Sequence, residues 1–199
     1  MIGVAKRLTS RPIFSALTLR REFSVKAIYS TFPATLLFYS ARQKPNLYEE
    51  REDHDRPDDL YEDRVNLGSN GLVYPGVFKD PSTSNGATMF PNTFMMQEII
   101  RLNYDEALER EDEGQQVNVP FIYTVPKGTA IPSHLILVNE YMSRFSLQPS
   151  RGTSLQDLNQ ALDEFYSKHA KKETADEWLD KHPFQSAIAD DADAKWMSM

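Results

Sequence analysis

A chain of 199 residues without a single cysteine fits one domain with tails, and it excludes disulfides, thiolate nucleophiles and zinc–thiolate sites. Residues 1–26 hold six basic residues against one acid, Glu22, so the net charge of −7 becomes −12 for the rest of the chain. A body that acidic argues against stable nucleic-acid binding, which needs clustered Lys and Arg, and no apolar run nears the ~20 residues of a membrane-spanning helix.

The N-terminal segment, residues 1–30, mixes Arg, Ser and apolar residues with no acid before Glu22. That composition fits a mitochondrial transit peptide, with Arg20-Arg21-Glu22-Phe23-Ser24 resembling a matrix-processing site, and fits equally a basic tail on a cytoplasmic protein. A third reading has the basic segment stay attached and rest on an acidic membrane surface. Pro33 to Ser40 then reads as a short buried strand. Residues 44–66 carry a dense acidic run, expected as a solvated loop, in which Asp53-His54-Asp55 lacks the rigid element that a metal site needs. No metal is expected.

Gly71 to Phe78 reads as strand material broken at Pro75-Gly76, and Ala87 to Phe90 as a further short strand. Thr93 is placed to cap a helix running to about Leu108, with Phe94, Met95, Ile99, Ile100 and Leu102 on one apolar face. A polar loop, Glu109 to Gln116, leads to a strand over Val119–Val125, and Pro126 to Thr129 make a turn. His134 to Asn139 is the clearest strand, with Arg144 to Leu147 its short partner. Ser154 opens a helix whose Leu155, Leu158, Leu162, Phe165 and Tyr166 share a face. Beyond Lys171 a short helix capped at Thr174, with Glu177 three residues on, precedes a mobile acidic tail. The order of elements suits α+β better than alternating α/β.

Three segments in this order carry a resemblance: Asn70-Gly71-Leu72-Val73-Tyr74-Pro75, Asn85-Gly86-Ala87-Thr88-Met89-Phe90, and Val125-Pro126-Lys127-Gly128-Thr129-Ala130-Ile131-Pro132. They resemble the small ADP-ribosyltransferase-like toxins of bacterial type VI secretion, which show Gly-Leu-Tyr-Ala-Pro, Gly-Gly-Thr-Ser-Val-Phe and Ile-Pro-x-Gly-Thr-x-Ile-Pro. Leu162-Asp163-Glu164-Phe165 is similar to the end of that family's last helix, and the likeness covers roughly residues 34–170. It implies an α+β domain over residues 31–170, with two small packed β-sheets around a cleft and flanking helices, and residues 171–199 outside it. It also implies transfer of ADP-ribose from NAD to a macromolecular acceptor, and a partner protein that neutralises the toxin.

Such a reaction wants an Arg for the pyrophosphate, hydroxyl or backbone partners for the ribose, and a carboxylate for the oxocarbenium-like cation. The resemblance puts Thr88 at the ribose and Glu140 as the carboxylate. Arg42 is implied at the phosphates, with Tyr39, Tyr74, Asn139 and Arg144 as further cofactor-binding residues. The ordinary alternatives are an exposed strand-end acid for Glu140 and half-buried strand aromatics for the tyrosines, Tyr123 included. Ser82-Thr83-Ser84 spells a hydroxyl run known from other ADP-ribosyltransferases, and also an ordinary turn. His134 sits at a strand start, and His169 and His182 near helix C-termini, where a partly charged ring suits the dipole. The first strand departs from the family's Leu-Tyr-Arg: here it is Phe38-Tyr39-Ser40, with Arg42 two residues further on and so on the same face as Ser40. That departure motivates the alternative of a non-catalytic homologue that keeps the fold as a binding module.

Overall fold

The computed structural model describes residues 27–41, 43–49, 64–76, 85–115, 119–141 and 143–188. The presequence-like segment through Lys26, Arg42, Asp53-His54-Asp55, Ser82-Thr83-Ser84 and the acidic tail lie outside them. The chain runs β1 (Ala27–Tyr29), β2 (Leu36–Ser40), β3 (Tyr48–Glu49), β4 (Arg64–Val65), β5 (Ala87–Met89) and α1 (Phe94–Asp112). It continues with β6 (Phe121–Val125), β7 (Leu135–Tyr141), β8 (Arg144–Pro149), α2 (Leu155–His169), β9 (Lys171–Thr174) and α3 (Ala175–Lys181).

Two antiparallel sheets organise these elements, one ordered β1-β7-β8-β5 and the other β2-β6-β9, and a two-residue parallel pairing joins β3 to β4. The chain is an α+β domain. Beyond the end of β5, Phe90 exchanges both backbone hydrogen bonds with Leu37 of β2, which ties the two large sheets along one edge. The main core lies between them: Leu36, Phe38, Tyr123 and Val125 from one sheet, and Met89, Leu137, Phe145 and Leu147 from the other. Helix α2 closes it with Leu158, Leu162, Phe165 and Tyr166, the face expected from spacing. Each such side chain contributes about 1.5–3 kcal/mol when fully buried. Tyr123 shows the cost of a polar tip in this core: burial first, then the Asp163 charge, pushes its phenol up to about 12, and the hydroxyl donates to the Gln43 carbonyl at 2.5 Å.

A second apolar cluster covers the other face of β2-β6-β9, where Leu37 and Ile122 meet Met96 and Ile100 of α1 and Ala175 and Trp178 of α3. Thr93 caps α1 through its hydroxyl at 3.1 Å from the Met96 N–H, as its position in the sequence suggests. The apolar face differs from expectation, because Met95 and Leu102 are exposed and the helix buries Met96, Gln97 and Ile100. Gln97 is tolerated inside because its amide donates to Asn92 at 2.7 Å and accepts from Arg101 at 3.0 Å. The helix also runs past Leu108 to Asp112, helped by the Glu106–Arg110 pair at 2.7 Å, and ends before Gly114 at φ +76°.

Strand β9 was not legible in Lys171-Lys172-Glu173-Thr174, yet it pairs with β6 and leads straight into α3. Both elements lie past residue 170, and α3 is integral to the second cluster through Ala175 and Trp178. The Thr174 N–H donates to the Glu177 carboxylate at 3.3 Å, the capping arrangement read from the sequence. Of the strand expected over residues 71–78, the described part through Gly76 holds only Val73 in bridges, to Leu67 and Thr153, and residues 77 and 78 lie outside the described residues. Gly71 itself turns the chain at φ +74°.

Candidate active site

The β7–β8 hairpin has two unlike faces. Residues directly opposite in an antiparallel pair share a face, so Asn139 and Leu137 lie with Phe145 and Leu147 toward the main core. On the other face β8 presents Arg144, Ser146 and Gln148, and Thr88 of β5 stands opposite Ser146. A register shift between Asn139 and Tyr141 sets Glu140 into a bulge at the end of β7, which aims its side chain across to β8.

There Glu140 is 7% exposed and accepts through one oxygen from the Ser146 hydroxyl at 2.7 Å and the Gln148 amide at 3.4 Å. Its other oxygen pairs with Arg144 Nε at 3.0 Å. A buried carboxylate is costly unless its lone pairs are filled, and here both oxygens are. Arg144 remains about a third open to solvent, so the pair sits at the boundary between protein and water.

The first two family-like segments converge on this face. Asn85 donates to the Tyr74 carbonyl at 2.6 Å and accepts from the Asn66 N–H at 2.7 Å, binding the Asn66–Gly76 segment to the start of β5. The Gly76 N–H donates to Gln148 Oε1 at 2.6 Å. Gly86 fits only as glycine: an added Cβ would stand 2.3 Å from the Leu147 carbonyl oxygen. The Tyr74 ring, 41% exposed, lies between Gly68 and Gly152, where added Cβ atoms would meet it at 3.1 and 2.6 Å, and its hydroxyl accepts from Asn70 at 2.8 Å.

The third segment does other work. Its turn places Gly128 at φ +84°, and the Gly128 N–H and Thr129 carbonyl bond both sides of Phe32. With Ile131 bonded to Ser30, the turn fixes the approach of β1 to the sheet.

Of the residues picked from the sequence, the structure therefore brings together Glu140, Arg144 and Thr88, with Tyr74 held on the segment that Gly76 and Asn85 anchor. Asn139 lies on the core face of the same strand, and Tyr39 packs half-buried into the second cluster. Arg42 lies outside the described residues. His134 is exposed at the turn before β7, while His169 and His182 stand at the C-terminal ends of α2 and α3, as expected. His182 stacks on Trp178 with centroids 4.1 Å apart.

Ser146 and Gln148 were missed. Their signal was present in the alternation of Arg144-Phe145-Ser146-Leu147-Gln148, whose polar positions all fall on one face. Among the described residues no group of His, Asp or Glu is arranged to hold a metal, and no helix is long and apolar enough to cross a membrane.

Residues 34–178 match the family model of the Tse2 ADP-ribosyltransferase toxin. The chain belongs to this family. No curated protein and no solved structure matches it. The match reaches through β9 to Trp178, so the Tse2-type unit includes the second cluster as well as the main core.

Proposed function

We propose that the chain transfers ADP-ribose from NAD to a macromolecular acceptor, with Glu140 as the carboxylate that stabilises the cation. In that reaction the bond between nicotinamide and ribose C1′ breaks, nicotinamide leaves with the bonding electrons, and positive charge grows on the sugar. The observation that supports this reading is the Glu140 carboxylate, held ready on a polar strand face across β8 from Thr88. Thr88 supplies the ribose hydroxyl partner from β5, Tyr74 offers a ring face at the rim, and Arg42 with Arg144 serves the pyrophosphate.

Delivery by a type VI system, neutralisation by a partner protein that protects the producing cell, and the mitochondrial matrix as a destination belong to the same proposal. Their support is the toxin family and an N-terminal composition with no acid before Glu22. The test of the activity is incubation of the folded chain with NAD and a cell lysate. Nicotinamide release and a labelled acceptor are expected, and a folded chain that yields neither retains only the fold, as a binding module.

A further inference from the structure

We infer that Gln148 and Ser146 are positioning residues: they form a one-way hydrogen-bond relay that couples the Tyr74–Gly76 segment to the Glu140 carboxylate. The claim that this positioning serves catalysis rests on the activity proposed above. The coupling itself rests on geometry.

The direction of each bond follows from which groups can only donate. The Gly76 backbone N–H has no acceptor capacity, so the Gln148 oxygen must face it, at 2.6 Å. The amide nitrogen of Gln148 is thereby turned toward Ser146 Oγ, 2.6 Å away, and donates to it. The serine hydrogen is then left for Glu140 Oε1 at 2.7 Å. Ser146 is 0% and Gln148 1% exposed, so water does not compete for any of these bonds. A chain of buried hydrogen bonds with one polarity strengthens each member and fixes the carboxylate as the terminal acceptor. Its other end is Gly76, two residues from Tyr74, whose carbonyl is held by Asn85 at 2.6 Å. Movement of that segment changes the orientation of Gln148 and thereby the setting of Glu140, mainly through Ser146 at 2.6 Å and also through the longer direct bond from the Gln148 amide at 3.4 Å. A ligand ring resting on Tyr74 and a cation forming beside Glu140 are then felt by one connected network.

The test has two arms on the full-length chain. In the first, hydrogen exchange of the Gly76 amide is followed by NMR. It should be protected in the wild type although it lies outside any strand, and Ser146→Ala and Gln148→Met should each speed its exchange about fivefold to tenfold, the worth of one hydrogen bond. Ser146→Thr, which keeps the hydroxyl, should restore protection, and Ser150→Ala, at a half-buried serine on the same chain segment that bonds to the Ser133 carbonyl instead, should leave it unchanged. An unprotected Gly76 in the wild type, or unchanged exchange in folded Ser146→Ala, overturns the relay. In the second arm, nicotinamide release from NAD should show kcat lowered about tenfold to a hundredfold in Ser146→Ala with KM within about twofold, and recovery in Ser146→Thr. Wild-type kcat in the folded Ser146→Ala variant overturns the catalytic positioning. A wild type that releases no nicotinamide while Gly76 responds as described removes the proposed activity and leaves the coupling standing.

Discussion

Among the described residues two glutamates are buried on strands, and they are held in different ways. Glu173 on β9 is 5% exposed and receives Lys171 and Lys181, each at 2.8 Å on the same oxygen, both from side chains more than half open to solvent. Burial alone would raise its pKa, but the hydrogen bonds and charges of the two lysines outweigh it and hold the carboxyl below its ordinary value. Glu140 has one arginine and two neutral donors, the hydroxyl of Ser146 and the amide of Gln148, in an ordered arrangement with Thr88 opposite Ser146 on the next strand. Flexible surface cations make an electrostatic staple that tolerates small displacements. Neutral dipoles on a rigid hairpin specify a direction, which is what a catalytic carboxylate needs.

The sharpest separation is in activity. Glu140→Gln should lower nicotinamide release about a hundredfold to a thousandfold, as removal of one placed electrostatic group does, while melting changes little. Glu173→Gln should melt earlier and keep wild-type turnover per folded molecule. Equal loss in both, measured on matched folded fractions, would erase the distinction.

Next in size is Gly86→Ala, which tests the frame around Glu140. Its Cβ would meet backbone, the Leu147 carbonyl oxygen, and Gln148 Cγ at 2.8 Å, so β5 and β8 must part. A loss of about 1–3 kcal/mol in denaturant melts is expected, with nicotinamide release falling beyond the unfolded share.

The sequence disclosed more of one glutamate than of the other. Glu140 directly follows the clearest strand read from the sequence, His134 to Asn139, so its place was legible, but the bulge that aims it inward is set by the register of the hairpin, Asn139 opposite Phe145 and Tyr141 opposite Arg144, which residue patterning alone does not show. The alternation in β8 was visible, yet only the pairing of Ser146 with both Val138 and Thr88 turns it into a buried polar face. Glu173 was invisible as a strand residue, because Lys-Lys-Glu-Thr has neither apolar alternation nor β-branched content before Thr174. What makes β9 a strand is β6 beside it and Trp178 after it. Local signals that need no distant partner were read correctly: the Thr93, Ser154 and Thr174 caps and the turn at Gly128.

The pH dependence of stability separates the two sites further. Because the folded-state pKa of Glu173 is depressed below 4.5, its stabilisation is fully present above pH 4.5 and is lost as pH falls through the folded value. The difference in melting temperature between the wild type and Glu173→Gln should therefore be largest near neutrality and shrink below pH 4.5. A difference that stays constant down to pH 3 would contradict the lysine staple.

The smallest effect is expected at the scaffold turn. Gly128→Ala meets no atom within 4 Å and pays only for φ +84°, about 1 kcal/mol. Nicotinamide release per folded molecule should be unchanged, which would mark the third family-like segment as support for β1 and not as part of the site.

The most direct measurement is nicotinamide release from NAD by the purified, folded chain beside its Glu140→Gln variant. Release by the wild type that is nearly abolished in the equally folded variant is the predicted result. Release that is the same in both, or absent from a folded wild type, would contradict Glu140 as the carboxylate of an ADP-ribosyl transfer site.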